Sequence, residues 1–102
     1  MLRRVKKIEY LSALTESNPE NDNIDVSIEL ADGKKYALLV ATPKNVFWCM
    51  ANEGLDYYFS FPAPIFVKTL TADNIDAAIR TFCAEAREEQ FNIYAVLQSS
   101  SD

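Results

Sequence analysis

The chain has no histidine. That absence removes the usual general base near neutral pH, the commonest metal ligand, and the proton relay of every Ser-His or Cys-His nucleophile pair. Glycine is almost as scarce, with Gly33 and Gly54 the only two in 102 residues. Two isolated glycines build neither a phosphate-cradling loop nor a dinucleotide fingerprint. Cysteine also occurs twice, as Cys49 and Cys83, without CxxC or ligand-like spacing. Both are expected to be buried, reduced and inert. Long apolar runs are missing too: none approaches the roughly twenty residues that cross a bilayer, and the first residues lack the apolar core of a signal peptide. A cytoplasmic protein with no cofactor, no metal and no membrane partner is the expectation.

What is present is ordinary for a folded domain. With 49% apolar and 25% charged residues, a chain of this size is expected to bury a sufficient core as one domain, 1–102. Its formal charge of -5 conceals an asymmetry, because Arg3, Arg4, Lys6 and Lys7 gather at the start while fifteen acids face six bases from residue 8 onward. Such a body repels nucleic-acid phosphates and suits a basic protein. The segment RRVKK reads either as a small basic patch for nucleic acid or as an edge strand whose lysines discourage unwanted pairing, and the edge strand is the expectation.

Along the chain, residues 3–14 suit a strand with Ile8, Tyr10 and Ser12 on one face. Residues 15–23, TESNPENDN, concentrate turn formers and read as an exposed acidic loop. IDVSIEL then alternates strictly, placing Ile24, Val26, Ile28 and Leu30 on one face. KKYALLVA alternates likewise after Asp32-Gly33. A two-residue turn would set the two apolar faces against each other. A three-residue loop, Ala31-Asp32-Gly33, pairs Ile28 with Tyr36, Val26 with Leu38 and Ile24 with Val40, with Gly33 left-handed. The same register places Glu29 opposite Lys35 as a cross-strand ion pair.

Thr42-Pro43 is a helix start, a hydroxyl cap followed by proline at the first position, and the helix is expected to end near Gly54. By angle Val46, Phe47 and Met50 face the core, flanked by Cys49 and Ala51, while Trp48 falls with Lys44 and Asn52 on the polar side. Tyr57 to Phe61 alternates as a short strand, Pro62 and Pro64 interrupt any ladder, and Ile65-Phe66-Val67 reads as another strand. Thr71 caps a further helix with Asp73 near its positive end and an apolar stripe of Ile75, Ile79, Phe82, Cys83 and Ala86. FNIYAVL suits either a final strand or more helix, with a strand from Asn92 favoured, and residues 98–102 are expected to fray. The expected class is α+β, an antiparallel sheet of four to five strands with two helices packed on one face.

Chemistry-bearing residues are few. Glu53 and Asp56, beside Tyr57 and Tyr58, are the nearest pair of acids, and two acids divide acid and base roles only where their environments differ. A solvated helix end is the plainer reading. The Glu20-Asn21-Asp22-Asn23 stretch offers oxygens for Ca2+ but lacks the spacing of a calcium loop. Six aromatics crowd into residues 47–61. Phe47, Phe59, Phe61 and the later Phe66 sit at positions that suit a core, whereas Trp48 and Tyr58 point the other way. Tryptophan and tyrosine combine large, stiff contact area with a polar tip, as interface anchors do. The candidate partner-binding set is therefore Trp48, Lys44, Asn52, Tyr58, Glu53 and Asp56, with no catalytic, cofactor or metal residues.

The series DVSIELADGKKY, ATPKNV and IFVKTLTADNIDAAI resembles a group of small acidic bacterial proteins, some of them similar to immunity proteins that neutralise a toxin domain. The resemblance covers roughly residues 24–80 and implies no catalytic residues. It implies a protein-binding module that masks a basic partner. Two alternatives stand beside it: a homo-oligomeric structural protein joined through Trp48 and Tyr58, and a small carboxylate enzyme built on Glu53 and Asp56.

Overall fold

A computed structural model describes residues 3–11 and 14–98. Ser12 of the expected first strand and residues 99–102 of the expected frayed tail lie outside the described residues. The strands are β1 Val5–Tyr10, β2 Asn23–Leu30, β3 Lys35–Ala41, β4 Pro64–Phe66 and β5 Ala95–Leu97. The helices are α1 Pro43–Glu53, α2 Ala72–Glu85 and α3 Glu88–Tyr94. The class is α+β, with an open five-stranded sheet ordered β1-β2-β3-β4. The far edge of β3 is shared: β5 pairs with its first half and β4 with its second. All pairings are antiparallel except β3 with β4, which run parallel on either side of α1. Three helices replace the expected two, and no helix among the described residues is long and apolar enough to cross a membrane.

Alternation in β2 and β3 dictates the central hairpin. Leu30 N–H donates to the Lys34 carbonyl at 2.9 Å around the loop Ala31-Asp32-Gly33, and Gly33 is left-handed at φ 91°. Ile28 faces Tyr36, Val26 faces Leu38 and Ile24 faces Val40, so one apolar face results. A slip of one residue would turn every one of these side chains outward. Glu29 does lie opposite Lys35, but its ion pair is with Lys6 at 3.6 Å. The edge strand β1 supplies that nearer ammonium.

A bulge between Val5 and Lys7 inserts an extra residue into β1, so buried Val5 and half-buried Ile8 share the core face. The expected Ile8 and Tyr10 alternation misses Val5 for this reason, and Tyr10 lies exposed at the strand end. Most of the early positive charge engages the chain itself. Arg3 donates to the Ala86 carbonyl at 2.7 Å with its guanidinium 4.1 Å from the Phe91 ring centroid, and Lys7 pairs with Glu9 at 2.8 Å. Arg80 of α2 returns the contact, donating to the Val5 carbonyl at 3.2 Å.

The core lies between one sheet face and the helices α2 and α3. The α2 stripe of Ile75, Ile79 and Cys83 is buried against Ile24, Val26, Ile28, Leu38 and Val40 of the sheet's apolar face. Thr71 caps the helix, its hydroxyl accepting from Asn74 N–H at 3.2 Å. Burial pushes the Cys83 thiol up to about 11. The strand expected from Asn92 is corrected: α3 continues to Tyr94 and the strand begins only at Ala95. Helical spacing puts Phe91 and Tyr94 on one side, where both rings meet Phe82, at 5.5 Å and 5.3 Å between centroids. The strand expected over Tyr57 to Phe61 is also absent. Both halves of the β3 edge that β2 leaves free are taken by β4 and β5, and residues 57–61 pair with no strand.

Candidate protein-binding surface

Helix α1 starts and stops where local chemistry requires. The buried Thr42 hydroxyl accepts from Asn45 N–H at 3.2 Å, Pro43 follows at the first position, and Gly54 closes the helix in a left-handed cap at φ 68°. What holds the helix down is unusual. Its one buried residue is Asn45, whose carboxamide accepts from the Asn23 side chain at 2.9 Å and donates to Asn21 at 3.2 Å. A polar clamp fastens the start of α1 to Asn21 of the preceding loop and to Asn23, the first residue of β2.

The expected core face of α1 is therefore corrected. Val46 and Met50 are half-buried, and Phe47 is 67% exposed. Angular position shows which side chains share a side, but the apolar sheet face is already covered by α2 and α3. The same correction applies to Phe59, Phe61 and Phe66, which were expected inside and lie outside. Eight large apolar side chains between Phe47 and Phe66 are exposed, from 37% at Leu55 to 85% at Phe59. Taking about 200 Å² for each such side chain, together they expose roughly 900 Å².

Of the candidate residues, Trp48 is 53% exposed and Tyr58, at 38%, is the most covered aromatic of the segment. The expectation that Tyr58 alone would oppose an inward Tyr57, Phe59 and Phe61 face does not hold, since all four are exposed. Lys44, Asn52, Glu53 and Asp56 are exposed as well. Glu53 and Asp56 thus sit at the solvated end of α1 and in the turn after it. Cys49 is half-buried rather than buried, with its sulfur 3.9 Å from Asn45 Oδ1.

The Asn45 clamp has an electrostatic consequence. It draws the acidic stretch Glu20-Asn21-Asp22 against the start of α1, while Glu53 and Asp56 follow its end. Acids therefore bracket the helix that carries Phe47 and Trp48, and Lys44 is the one base on α1. The loop oxygens themselves serve local structure. Asp22 accepts from the Asn18 and Asn23 amides at 3.1 Å and 2.8 Å, and Asn18 accepts from the Glu20 amide at 3.1 Å. Among the described residues no group of three or more acids or cysteines is placed to hold a metal ion.

The residues that sequence reasoning sent to the core, Phe47, Phe59, Phe61 and Phe66, are four of these eight exposed side chains. A signal was there: Tyr57, Tyr58 and Phe59 are consecutive, so a strand through them would be apolar on both faces, and Pro62 and Pro64 withhold two ladder donors. Compared with family models, curated proteins and solved structures, the chain matches none.

Proposed function

We propose that the protein is a non-catalytic binding module of the immunity or antitoxin kind, masking a basic protein partner such as a toxin domain in the cytoplasm. The observation that carries this reading is the exposed aromatic run from Phe47 to Phe66, with acids on either side of its helix. Summed over the run, the exposed area of roughly 900 Å² is comparable with the ~800 Å² that each partner contributes to a standard interface. Aromatic anchors surrounded by polar residues are the usual anatomy of a binding hot spot, and complementary charge speeds encounter and fixes register. The exposed setting of Glu53 and Asp56 lends nothing to carboxylate catalysis, which needs two acids in unlike environments.

One observation favours a second occupant, another copy of the chain. From Leu55 to Phe66 the only charged residue is Asp56, so two such segments would meet with little repulsion. Sedimentation velocity separates the readings, since a monomer at high concentration removes the self-contact. For the hetero-partner, the test is capture from the source cell followed by association kinetics. Trp48→Ala and Phe59→Ala are each expected to weaken the complex about 30-fold, the effect of a central anchor of ~2 kcal/mol. Association is expected to slow steeply with added salt. A rate indifferent to ionic strength removes the basic partner, and unchanged affinity in both variants removes the surface.

A further inference from the structure

The order β1-β2-β3-β4 puts β1 at the edge of the sheet opposite β4, whose Phe66 belongs to the exposed aromatic run. Among the described residues no strand pairs with the outer side of β1. Leu11 N–H donates to the Asp25 carbonyl at 3.0 Å, so these two residues form a hydrogen-bonded pair. Bonded and non-bonded pairs alternate along an antiparallel ladder. Glu9 with Ser27 and Lys7 with Glu29 are therefore bonded pairs as well, and the N–H and C=O groups of Ile8 and Tyr10 point away from β2. Arg80 already occupies the Val5 carbonyl at 3.2 Å, and the bulge disturbs the strand between Val5 and Lys7. The regular, unpaired part of the edge begins at Lys7. A row of this kind is a template for another strand.

Charge decides which strand suits it. A lysine on an edge discourages pairing with any strand that brings a like charge. Here Lys7 and Glu9, both exposed, are placed symmetrically about Ile8. When a second copy pairs antiparallel around a two-fold axis at Ile8, Lys7 falls opposite the partner's Glu9, and Glu9 opposite the partner's Lys7. Moving the axis one residue either way would oppose two glutamates or two lysines, which is destabilising. The contact within the strand, Lys7 Nζ to Glu9 Oε1 at 2.8 Å, uses one carboxylate oxygen. An ammonium has three donors and a carboxylate two oxygens, so both groups keep capacity for the second contact. On the core side, half-buried Ile8 meets the partner's Ile8.

We infer that the chain forms a two-fold dimer through β1, joining two five-stranded sheets into one around an axis at Ile8. Across that axis the two Ile8 residues exchange N–H to C=O bonds, and Lys7 and Glu9 of both copies make an alternating square of charge. The contact is isologous and uses up the β1 edge, so assembly stops at two copies. It goes beyond the proposed function: β4 and Phe66 stay at the far ends, and the dimer presents two aromatic surfaces to partners.

The test is sedimentation velocity on the full chain from about 10 μM to about 1 mM, a range in which a dimer of modest affinity forms. Glu9→Lys and Lys7→Glu each turn two attractions into two repulsions. Each is expected to weaken self-association about tenfold. An equimolar mixture of the two variants is expected to dimerise again, because every lysine then meets a glutamate. Amide hydrogen exchange locates the contact, since Ile8 N–H is expected to exchange rapidly in dilute protein and slowly in concentrated protein. A strict monomer throughout, a dimer that both variants leave intact, a mixture no tighter than its components, or Ile8 exchange independent of concentration would each overturn the inference. Trp48→Ala and Phe59→Ala are expected to leave this dimer unchanged. Loss of the dimer in those variants would assign self-contact to the aromatic run and overturn the β1 contact instead.

Discussion

Truncating Phe59 and truncating Phe91 should have very different consequences, although both are phenylalanines within about 35 residues of each other. Phe59 is 85% exposed, so of the about 200 Å² of a phenylalanine roughly 30 Å² is covered. At about 25 cal/mol per Å² its removal costs under ~1 kcal/mol. Phe91 is 2% exposed and touches Tyr36, Phe82 and Arg3. Its truncation loses the whole transfer term and leaves a cavity, about 3–5 kcal/mol. In urea, where the slope for a domain of this size is about 1–3 kcal/mol per molar, Phe59→Ala moves the midpoint by about 0.5 M or less. Phe91→Ala moves it by about 2 M or prevents folding. Ile79→Val, at ~0.5–1.5 kcal/mol, is a core reference that survives if Phe91→Ala does not. A midpoint shift for Phe59→Ala larger than that of Ile79→Val would refute the reasoning, because the aromatic run would then be packed.

Four further outcomes follow from the same structure. Gly33→Ala has open space around the added methyl, so its cost is conformational, about 1–2 kcal/mol for a left-handed residue, read as a fall in the melting temperature of several degrees; an unchanged midpoint would refute the bulged turn. Asn45→Ala removes both bonds of the polar clamp, about 1–3 kcal/mol, and is expected to speed hydrogen exchange at residues 21–23; unchanged exchange there would show that α1 is held by something else. In native buffer a thiol reagent is expected to modify Cys49 alone, since Cys83 is buried and its thiol is raised from 9.0 to about 11. The stability contributed by the neutral Cys83 thiol is intact below about pH 9, where the unfolded chain is also protonated, and is lost as pH rises toward about 11. A urea midpoint flat across that window, relative to Cys83→Ala, would contradict it.

Local chemistry and one-dimensional pattern determined a good part of this protein. Strict alternation from Ile24 to Leu30 leaves only one hairpin register that keeps the apolar residues together, and the three-residue loop with left-handed Gly33 follows from it. Thr42-Pro43 and Gly54 bound α1, and Thr71 with the Ile75, Ile79, Cys83 spacing defines α2 and the face it buries. The β1 bulge, the helical course of Phe91 to Tyr94 and the fate of the aromatic run were decided only in three dimensions. Periodicity states which side chains share a face, whereas burial depends on whether another element is left to cover that face. Here α2 and α3 cover the sheet, β4 and β5 use up the edge of β3, and α1 is fastened through Asn45. Phe47, Phe59 and Phe61 face water because the core closed without them.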